Sequence, residues 1–164
     1  MFRTPGIPLR LRPALFTLAA ATLILLVSHP SQAQRVRDAH AAVADDEPAF
    51  NEFKGVRLGM TADEARKKLG DPKDKSDAQD FYMWGDKIAA QVLYKTSKVV
   101  TISIDFMAAG EAPSAKQVLG ADVEAKADGS MYKLVRYTKA GYWVSYNRTA
   151  GDSPLVSVTI QKIE

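Results

Sequence analysis

Few side chains in this sequence could carry out catalysis or hold a metal ion. The chain has 164 residues, no cysteine and two histidines, His29 and His40. Zinc, haem and iron–sulfur sites need several histidine or cysteine ligands, and a catalytic triad needs a positioned histidine. No GxSxG, GxGxxG or GxxxxGK[ST] motif occurs, so no nucleophile elbow or phosphate-binding loop is indicated. The sequence therefore predicts a protein that is not an enzyme and has no metal and no cofactor.

The carboxylates also lack the pattern of a catalytic or calcium site. A calcium loop needs oxygen ligands at alternate positions and a closing glutamate. The stretch 71–80 instead has aspartates interleaved with lysines, and it contains no such glutamate. The aspartates are Asp71, Asp74, Asp77 and Asp80. We expect a solvated loop there. We expect Asp63 and Glu64 to stabilise the start of a helix and not to act as an acid and a base.

Aromatic side chains on predicted strands remain as groups that could form a binding site. In the stretch YWVSYN, strand alternation places Tyr142, Val144 and Tyr146 on one face. Trp143 and Ser145 then share the other, more polar face, where tryptophan is a common anchor of protein–protein contacts. Core packing is the alternative for every one of these aromatics. The candidate partner-binding residues are Trp143, Trp84, Tyr82 and Ser145.

The clearest local signal is the stretch GMTADEARKKLGDP, which begins at Gly59. Thr61 and Glu64 have the spacing of a capping box, in which each side chain bonds to the other residue's backbone amide. Gly70 can adopt the left-handed conformation that ends a helix, and Pro72 prevents continuation. The pattern predicts a helix over Ala62–Leu69.

Beyond this helix the hydrophobic period changes from 3.6 to 2, which indicates strands. Strands are predicted over 81–84, 89–95, 99–107, 130–138, 142–147 and 155–163. The stretch APSAKQVLG at 112–120 is similar to ADEARKKLG at 62–70, and LVSVTI at 155–160 is similar to VVTISI at 99–104. A chance match is one explanation of these similarities, and an internal repeat is the other.

The repeat predicts an α+β fold of two tandem helix-plus-three-strand units, with short helices packed on one face of an antiparallel sheet. The first unit would cover residues 50–108 and the second residues 109–164, so that 50–164 form one compact domain. Residues 34–49 have mixed charge and no apolar periodicity, which predicts a flexible leader.

Residues 1–33 have the pattern of a cleavable signal peptide. Arg3, Arg10 and Arg12 form a positive segment, an apolar run follows over 14–27, and Ser31-Gln32-Ala33 offers a cleavage site. An uncleaved anchor is the alternative, but a spanning helix needs about 20 apolar residues. We expect a periplasmic or secreted protein without a lipid anchor, because no cysteine is available for acylation.

The charge balance gives no support to a nucleic-acid partner. The whole chain has 22 basic and 19 acidic residues, a net charge of +3. The predicted signal peptide contains three of the arginines and no acidic residue, so its removal leaves 19 of each sign. A basic surface is the usual mark of a nucleic-acid-binding protein. We therefore expect no nucleic-acid partner.

Part of the chain resembles a known family. The motif residues are Gly59, Met60, Thr61, Glu64, Leu69, Gly70 and Pro72, and a strand with Trp84 follows. They look like the pattern of the SmpA/OmlA (BamE-like) domain, and the tandem arrangement resembles the β-lactamase inhibitor proteins. The resemblance covers about 56–106 by motif and 112–163 by architecture. It implies structural roles for the motif residues and short helices on an antiparallel sheet.

The resemblance also implies a function. It suggests a non-catalytic protein-binding module of the bacterial cell envelope, similar to outer-membrane assembly factors or to β-lactamase inhibitors. The assembly factors are lipoproteins, and this chain departs from them because it has no cysteine. The expected partner is a protein of the envelope or a secreted protein. The alternative is a small-molecule or lipid-binding carrier in the periplasm, whose aromatics would line a cavity.

Overall fold

Helix α1 (Ala62–Leu69) begins and ends where its capping residues predict. The Thr61 hydroxyl accepts a hydrogen bond from the Glu64 amide at 3.2 Å, and the Thr61 amide donates to the Glu64 carboxylate at 2.8 Å. Gly70 follows with a φ of 84°, and its amide donates to the Arg66 carbonyl. The predicted helix and its capping box are confirmed.

The computed structural model describes residues 42–44 and 48–164. The predicted signal peptide and most of the predicted leader lie outside these residues. A second helix, α2 (Ala115–Leu119), and a 3-10 turn at Ala109–Glu111 complete the helical segments that are described. Ser114 and Gln117 form a second capping box on α2. Neither described helix is long and apolar enough to cross a membrane.

Eight strands of the described residues form one sheet, and the limits of six of them, β3 to β8, lie close to those predicted. They are β1 (Ala42–Ala44), β2 (Asp74–Lys75), β3 (Gln79–Trp84), β4 (Ile88–Lys95), β5 (Lys98–Phe106), β6 (Met131–Tyr137), β7 (Tyr142–Arg148) and β8 (Val156–Lys162). The order across the sheet is β1-β6-β7-β8-β5-β4-β3-β2. All pairings among β2 to β8 are antiparallel, and β1 pairs parallel with β6.

The predicted fold of two tandem helix-plus-three-strand units is wrong. Strand β5 pairs with β8 over six residue pairs in the middle of the order, so the strands of both predicted units belong to one continuous sheet. The second helix has only five residues, and β1 and β2 were not predicted. Two similar stretches of sequence indicate that similar helices or strands form in both places. They do not show which strands pair, because pairing joins the unpaired backbone groups of strand edges that are distant in the sequence.

The register assigns one sheet face to the core. Directly paired residues share a face, and the largest buried side chains follow such rows across the strands. One core row consists of Val135, Val144, Ile160, Ile102, Val92 and Asp80. The helices contribute Ala65, Leu69, Ala115, Val118 and Leu119 to the same core. This face, which we call the helix face, is therefore the structural side of the sheet.

An aspartate ends that aliphatic row, and its charge is fully compensated. Asp80 has no exposed surface. The Arg66 guanidinium of α1 donates to both carboxylate oxygens, at 2.8 and 3.0 Å, and the hydroxyls of Tyr94 and Tyr82 donate at 2.7 and 3.2 Å. Arg66 also donates to the Ser76 carbonyl at 3.0 Å. We call Arg66, Asp80, Tyr82 and Tyr94 the Asp80 cluster.

The prediction of a solvated loop at Asp80 is wrong, because this residue lies inside β3. Asp74 and Lys75, which were placed in the same loop, form the short edge strand β2. The partner of Asp80 is Arg66, 14 residues earlier on α1. Because a buried charge requires such a partner, the Asp80 cluster joins the helix to the sheet.

The cluster also sets the protonation of Asp80. Burial alone would raise the pKa of the Asp80 carboxyl, but hydrogen bonds from Arg66, Tyr94 and Tyr82 outweigh burial and hold this pKa below its ordinary value. The folded pKa is thus lower than the unfolded pKa, so the unfolded chain binds more protons near pH 4. The stability that ionised Asp80 contributes is complete above the unfolded pKa and is lost as the pH falls through the folded pKa.

Replacing Asp80 by asparagine should destabilise the fold in a pH-dependent way. The Asp80→Asn variant keeps the shape but leaves Arg66 without its counter-charge, so we expect its free energy of unfolding at pH 7 to fall by about 3 kcal/mol. The difference from the parent should stay constant above about pH 5 and shrink below about pH 4. Urea unfolding across this pH range measures both effects.

The matched control is Asp74→Asn, which makes the same chemical change at an exposed position on β2. It should alter the free energy of unfolding by less than about 0.5 kcal/mol. Equal effects of the two substitutions, or a difference at Asp80 that does not depend on pH, would contradict the role of the ion pair.

Candidate functional site

The second face of the sheet, which we call the open face, consists of three rows that cross from β6 to β3. The first row is Arg136, Trp143, Gln161, Thr101, Leu93 and Gln79. The second row is Leu134, Ser145, Thr159, Ser103, Gln91 and Phe81. The third row is Tyr132, Asn147, Ser157, Asp105, Ala89 and Met83. Apart from Ala89 and Thr101, these residues are half-buried or exposed.

The open face has a polar centre and more apolar ends. On the central strands Ser103 and Thr159 are hydrogen-bonded at 3.0 Å, and the Ser157 hydroxyl donates to Asp105 at 2.6 Å. Large apolar side chains lie towards β6 and β7 at one end and towards β3 and β4 at the other; they are Tyr132, Leu134, Trp143, Phe81, Leu93 and Met83. Tyr132 and Met83 are 46% and 41% exposed. Such a face offers apolar anchors on both sides of a hydrogen-bonding strip.

The structure divides the four candidate partner-binding residues between the two faces. Trp143 and Ser145 lie half-buried on the open face of β7, while Val144 and Tyr146 are buried on the helix face, as the alternation predicts. Tyr82 and Trp84 lie on the helix face of β3. Tyr82 is only 1% exposed, and burial with the nearby Asp80 charge raises its pKa to about 12. Tyr82 is thus a core residue and is not accessible to a partner.

Trp84 is half-buried and contacts two other aromatic rings. Its ring stacks on Tyr82 with centroids 5.6 Å apart, and Phe53 meets it edge-on at the same distance. The Lys54 ammonium lies 5.1 Å from the centre of the Trp84 ring. These contacts indicate that Trp84 is a packing residue, which covers the edge of the core at the end of the helix face.

The described residues contain no cluster of three or more histidine, cysteine, aspartate or glutamate side chains that could hold a metal ion. In the same part of the chain, every buried side-chain polar atom has a hydrogen-bond partner. The Asp80 cluster is internally satisfied in this way, because both of its carboxylate oxygens and both tyrosine hydroxyls are engaged. It therefore acts as a structural group and leaves no atom aimed at a ligand.

A feature that the sequence analysis missed lies at the turn between β4 and β5. Thr96 and Ser97 form this two-residue turn with φ values of 52° and 58°. Asparagine and glycine are the residues that normally adopt such a turn, and a β-branched threonine is strained there. Lys95 and Lys98 are directly paired across the turn, which places like charges opposite each other.

The strained turn is held in place by the first residue of α1 and by the segment before it. The Ala62 amide donates to the Ser97 carbonyl at 3.0 Å, and the Val99 amide donates to the Met60 carbonyl at 2.8 Å. The Gly59 amide donates to the Val99 carbonyl at 2.8 Å. These bonds account for the persistence of an unfavourable backbone conformation, since surrounding contacts over-determine it.

An open pocket of about 420 Å³ lies beside this turn. Three lysines, Lys95, Lys98 and Lys162, line it together with the apolar residues Val99, Val100 and Ile163, and we call it the lysine pocket. Thr101 and Gln161 also line it, and both belong to the row of Trp143 on the open face. The lysine pocket is thus continuous with the open face. Its sequence signal is the unusual turn Lys-Thr-Ser-Lys, which contains no glycine or asparagine.

A smaller pocket of about 290 Å³ lies at the start of α1. Its lining is mostly polar and includes Asp63, Asp77 and Arg66. Arg66 is already engaged by Asp80, so its charge is compensated. The pocket forms where the start of α1 meets the loops at Asp77 and Ser97, and we assign no binding role to it.

Comparisons with known proteins give no relative for this chain: no family profile, no curated protein and no solved structure matches it. The resemblance to the SmpA/OmlA domain therefore remains a prediction that rests on the motif residues alone.

Relieving the turn should stabilise the protein. The double substitution Thr96→Asn with Ser97→Gly supplies residues that accept positive φ, so we expect the free energy of unfolding to rise by about 1–2 kcal/mol. Urea unfolding provides the measurement. The control is Ser153→Gly in an exposed loop without positive φ, which should be neutral or slightly destabilising. No gain from the double substitution would show that the turn is not strained.

Proposed function

We propose that this protein is an exported, non-catalytic protein-binding module of the bacterial cell envelope, and that it binds its partner through the open face. The observation that carries the proposal is the position of Trp143, half-buried on the face opposite both described helices. Ser145 lies on the same face of the same strand, β7, and Tyr132 lies on this face of the neighbouring strand β6. The motif resemblance supports the envelope location and the binding role.

The composition of the open face suits protein recognition. Tryptophan and tyrosine bring large contact area at a small cost in side-chain entropy, and serine, threonine, asparagine and glutamine supply adaptable hydrogen bonds. The face combines both kinds of residue, with Trp143 and Tyr132 near one end and the Ser103–Thr159 pair in the centre. Partners with mixed apolar and polar surfaces would be complementary to it.

The size and rigidity of the open face also fit this role. Three rows across six strands contain 18 residues, of which all but the buried Ala89 and Thr101 are available for contact. A protein–protein interface of standard size uses about 20–30 residues from each partner. Because the residues project from paired strands, their relative positions are fixed before a partner arrives, which lowers the entropy cost of binding.

The carrier alternative receives less support from the packing. A carrier would arrange its aromatics around an enclosed cavity. Tyr82, Tyr94, Tyr137, Tyr146 and Phe106 are instead buried in the core cluster between the sheet and the helices. The lysine pocket opens to solvent where β5 begins and β8 ends, and its lining contains no aromatic residue.

Removing the Trp143 side chain should abolish capture of the partner. We expect the protein to retain a specific envelope protein in an affinity pull-down, and we expect Trp143→Ala to weaken that binding by at least tenfold, as for a central aromatic anchor. The fold should be unaffected, because Trp143 lies outside the buried core cluster. Circular dichroism and the thermal midpoint check this point.

The matched control is Lys67→Ala on the exposed side of α1, which should bind as the parent does. Equal capture by the parent and Trp143→Ala would contradict binding through the open face. Failure of both to capture a protein, together with co-purification of a lipid or small molecule, would favour the carrier.

A further inference from the structure

The lysine pocket combines several features that point to an anionic ligand group. Lys98 and Lys162 line it and form no ion pair within 4.0 Å with any other described residue. The pKa of the Glu64 carboxyl is lowered mainly by its hydrogen bonds with Thr61, and Lys98 helps to lower it from a distance. Lys95 is paired with the carboxylate of Glu164 at 2.7 Å, and both side chains are highly exposed, at 69% and 79%. The rim of the pocket therefore already holds one carboxylate, in a pair that is weak and readily exchanged because water screens it.

The turn beside the pocket favours a binding role over a purely structural one. The turn has two energetically unfavourable features. Two of its residues have positive φ, and two lysines lie directly opposite each other across it. Local rules of stability are most often broken where a sequence serves binding or catalysis. An incoming negative charge would relieve the repulsion between Lys95 and Lys98, so the unfavourable arrangement becomes favourable on binding.

The lining also indicates the shape of the ligand group. Val100 and Ile163 form an apolar part beside the lysines, while Val99 is buried beneath it. A carboxylate on a short aliphatic stem can place the stem on this apolar part and the charge among the ammonium groups. Glutamate and aspartate side chains have this form, whereas inorganic phosphate has no apolar portion.

The position of the pocket identifies the source of that carboxylate. Thr101 and Gln161 belong both to the pocket and to the row of the open face that contains Trp143. A protein lying across Trp143 would reach the pocket along this row. We propose that the lysine pocket binds an acidic side chain of the partner protein, an inference that rests on the proposed function of the open face.

A titration with a small acidic peptide tests the pocket without the partner. The protein, expressed from the full chain and labelled with ¹⁵N, is titrated at low salt with acetyl-Glu-Glu-amide, with acetyl-Gln-Gln-amide and with inorganic phosphate. We expect the glutamate peptide to shift amide signals of residues 95–101 and 161–164. The glutamine peptide should shift them much less, and phosphate should bind more weakly than the glutamate peptide.

The lysines provide the decisive variants. The double substitution Lys98→Gln with Lys162→Gln should weaken binding of the glutamate peptide by at least about threefold, since two charge contacts are lost. The control Lys67→Gln with Lys126→Gln removes the same charge from exposed positions outside the pocket and should change the affinity by less than about twofold. Amide signals elsewhere in the spectrum verify that both variants are folded.

Three outcomes would overturn the proposal. They are shifts spread over the whole surface, equal binding of the two peptides, and equal weakening by the two pairs of lysine substitutions. Stronger binding of phosphate than of the glutamate peptide would also overturn the assignment of a carboxylate. Because no partner protein takes part, this titration can fail while Trp143→Ala still loses its partner, so the two proposals are tested separately.

Discussion

The ion pair between Asp80 and Arg66 is the interaction on which the rest of the structure depends. An uncompensated aspartate at the end of an aliphatic row would be too costly to bury, so β3 can complete the core only when α1 supplies Arg66. The hydroxyls of Tyr82 and Tyr94 satisfy the remaining acceptor capacity of the carboxylate. Apolar contacts would tolerate several positions of a short helix, whereas a bidentate ion pair selects one. The Asp80 cluster thus determines where α1 lies on the sheet.

The position of α1 has consequences for the lysine pocket and for the open face. The segment that leads into α1 bonds to the turn between β4 and β5, so the docked helix also supports the strained lysine turn through Ala62 and Met60. Both described helices pack on the helix face, so neither of them covers the open face. The helix face therefore carries the core, and the open face is the surface that we propose for recognition. The lysine pocket lies where β5 begins and β8 ends, next to the row of Trp143. It adds positive charge beside a polar centre that contains the carboxylate of Asp105.

Local features of the fold could be predicted from the sequence, and those that depend on distant partners could not. The limits of α1 follow from Thr61, Glu64 and Gly70, because each acts within a few residues. The face of Trp143 follows from strand alternation, which is also local. The burial of Asp80 escaped prediction because its compensating charge lies 14 residues away on another element. Pairing of β5 with β8 and of β1 with β6 joins distant segments, and the three residues of β1 are too few to show a pattern.

The proposed interface with a partner is the open face. Oxidative footprinting of the protein in the intact cell envelope, compared with the purified protein, tests this claim without knowledge of the partner. If the partner binds there, Trp143 and Tyr132 are protected from oxidation in the envelope, while Trp84 on the helix face reacts equally in both samples. Protection of Trp84 with unchanged oxidation of Trp143 and Tyr132 would contradict the account and place the interface on the helix side.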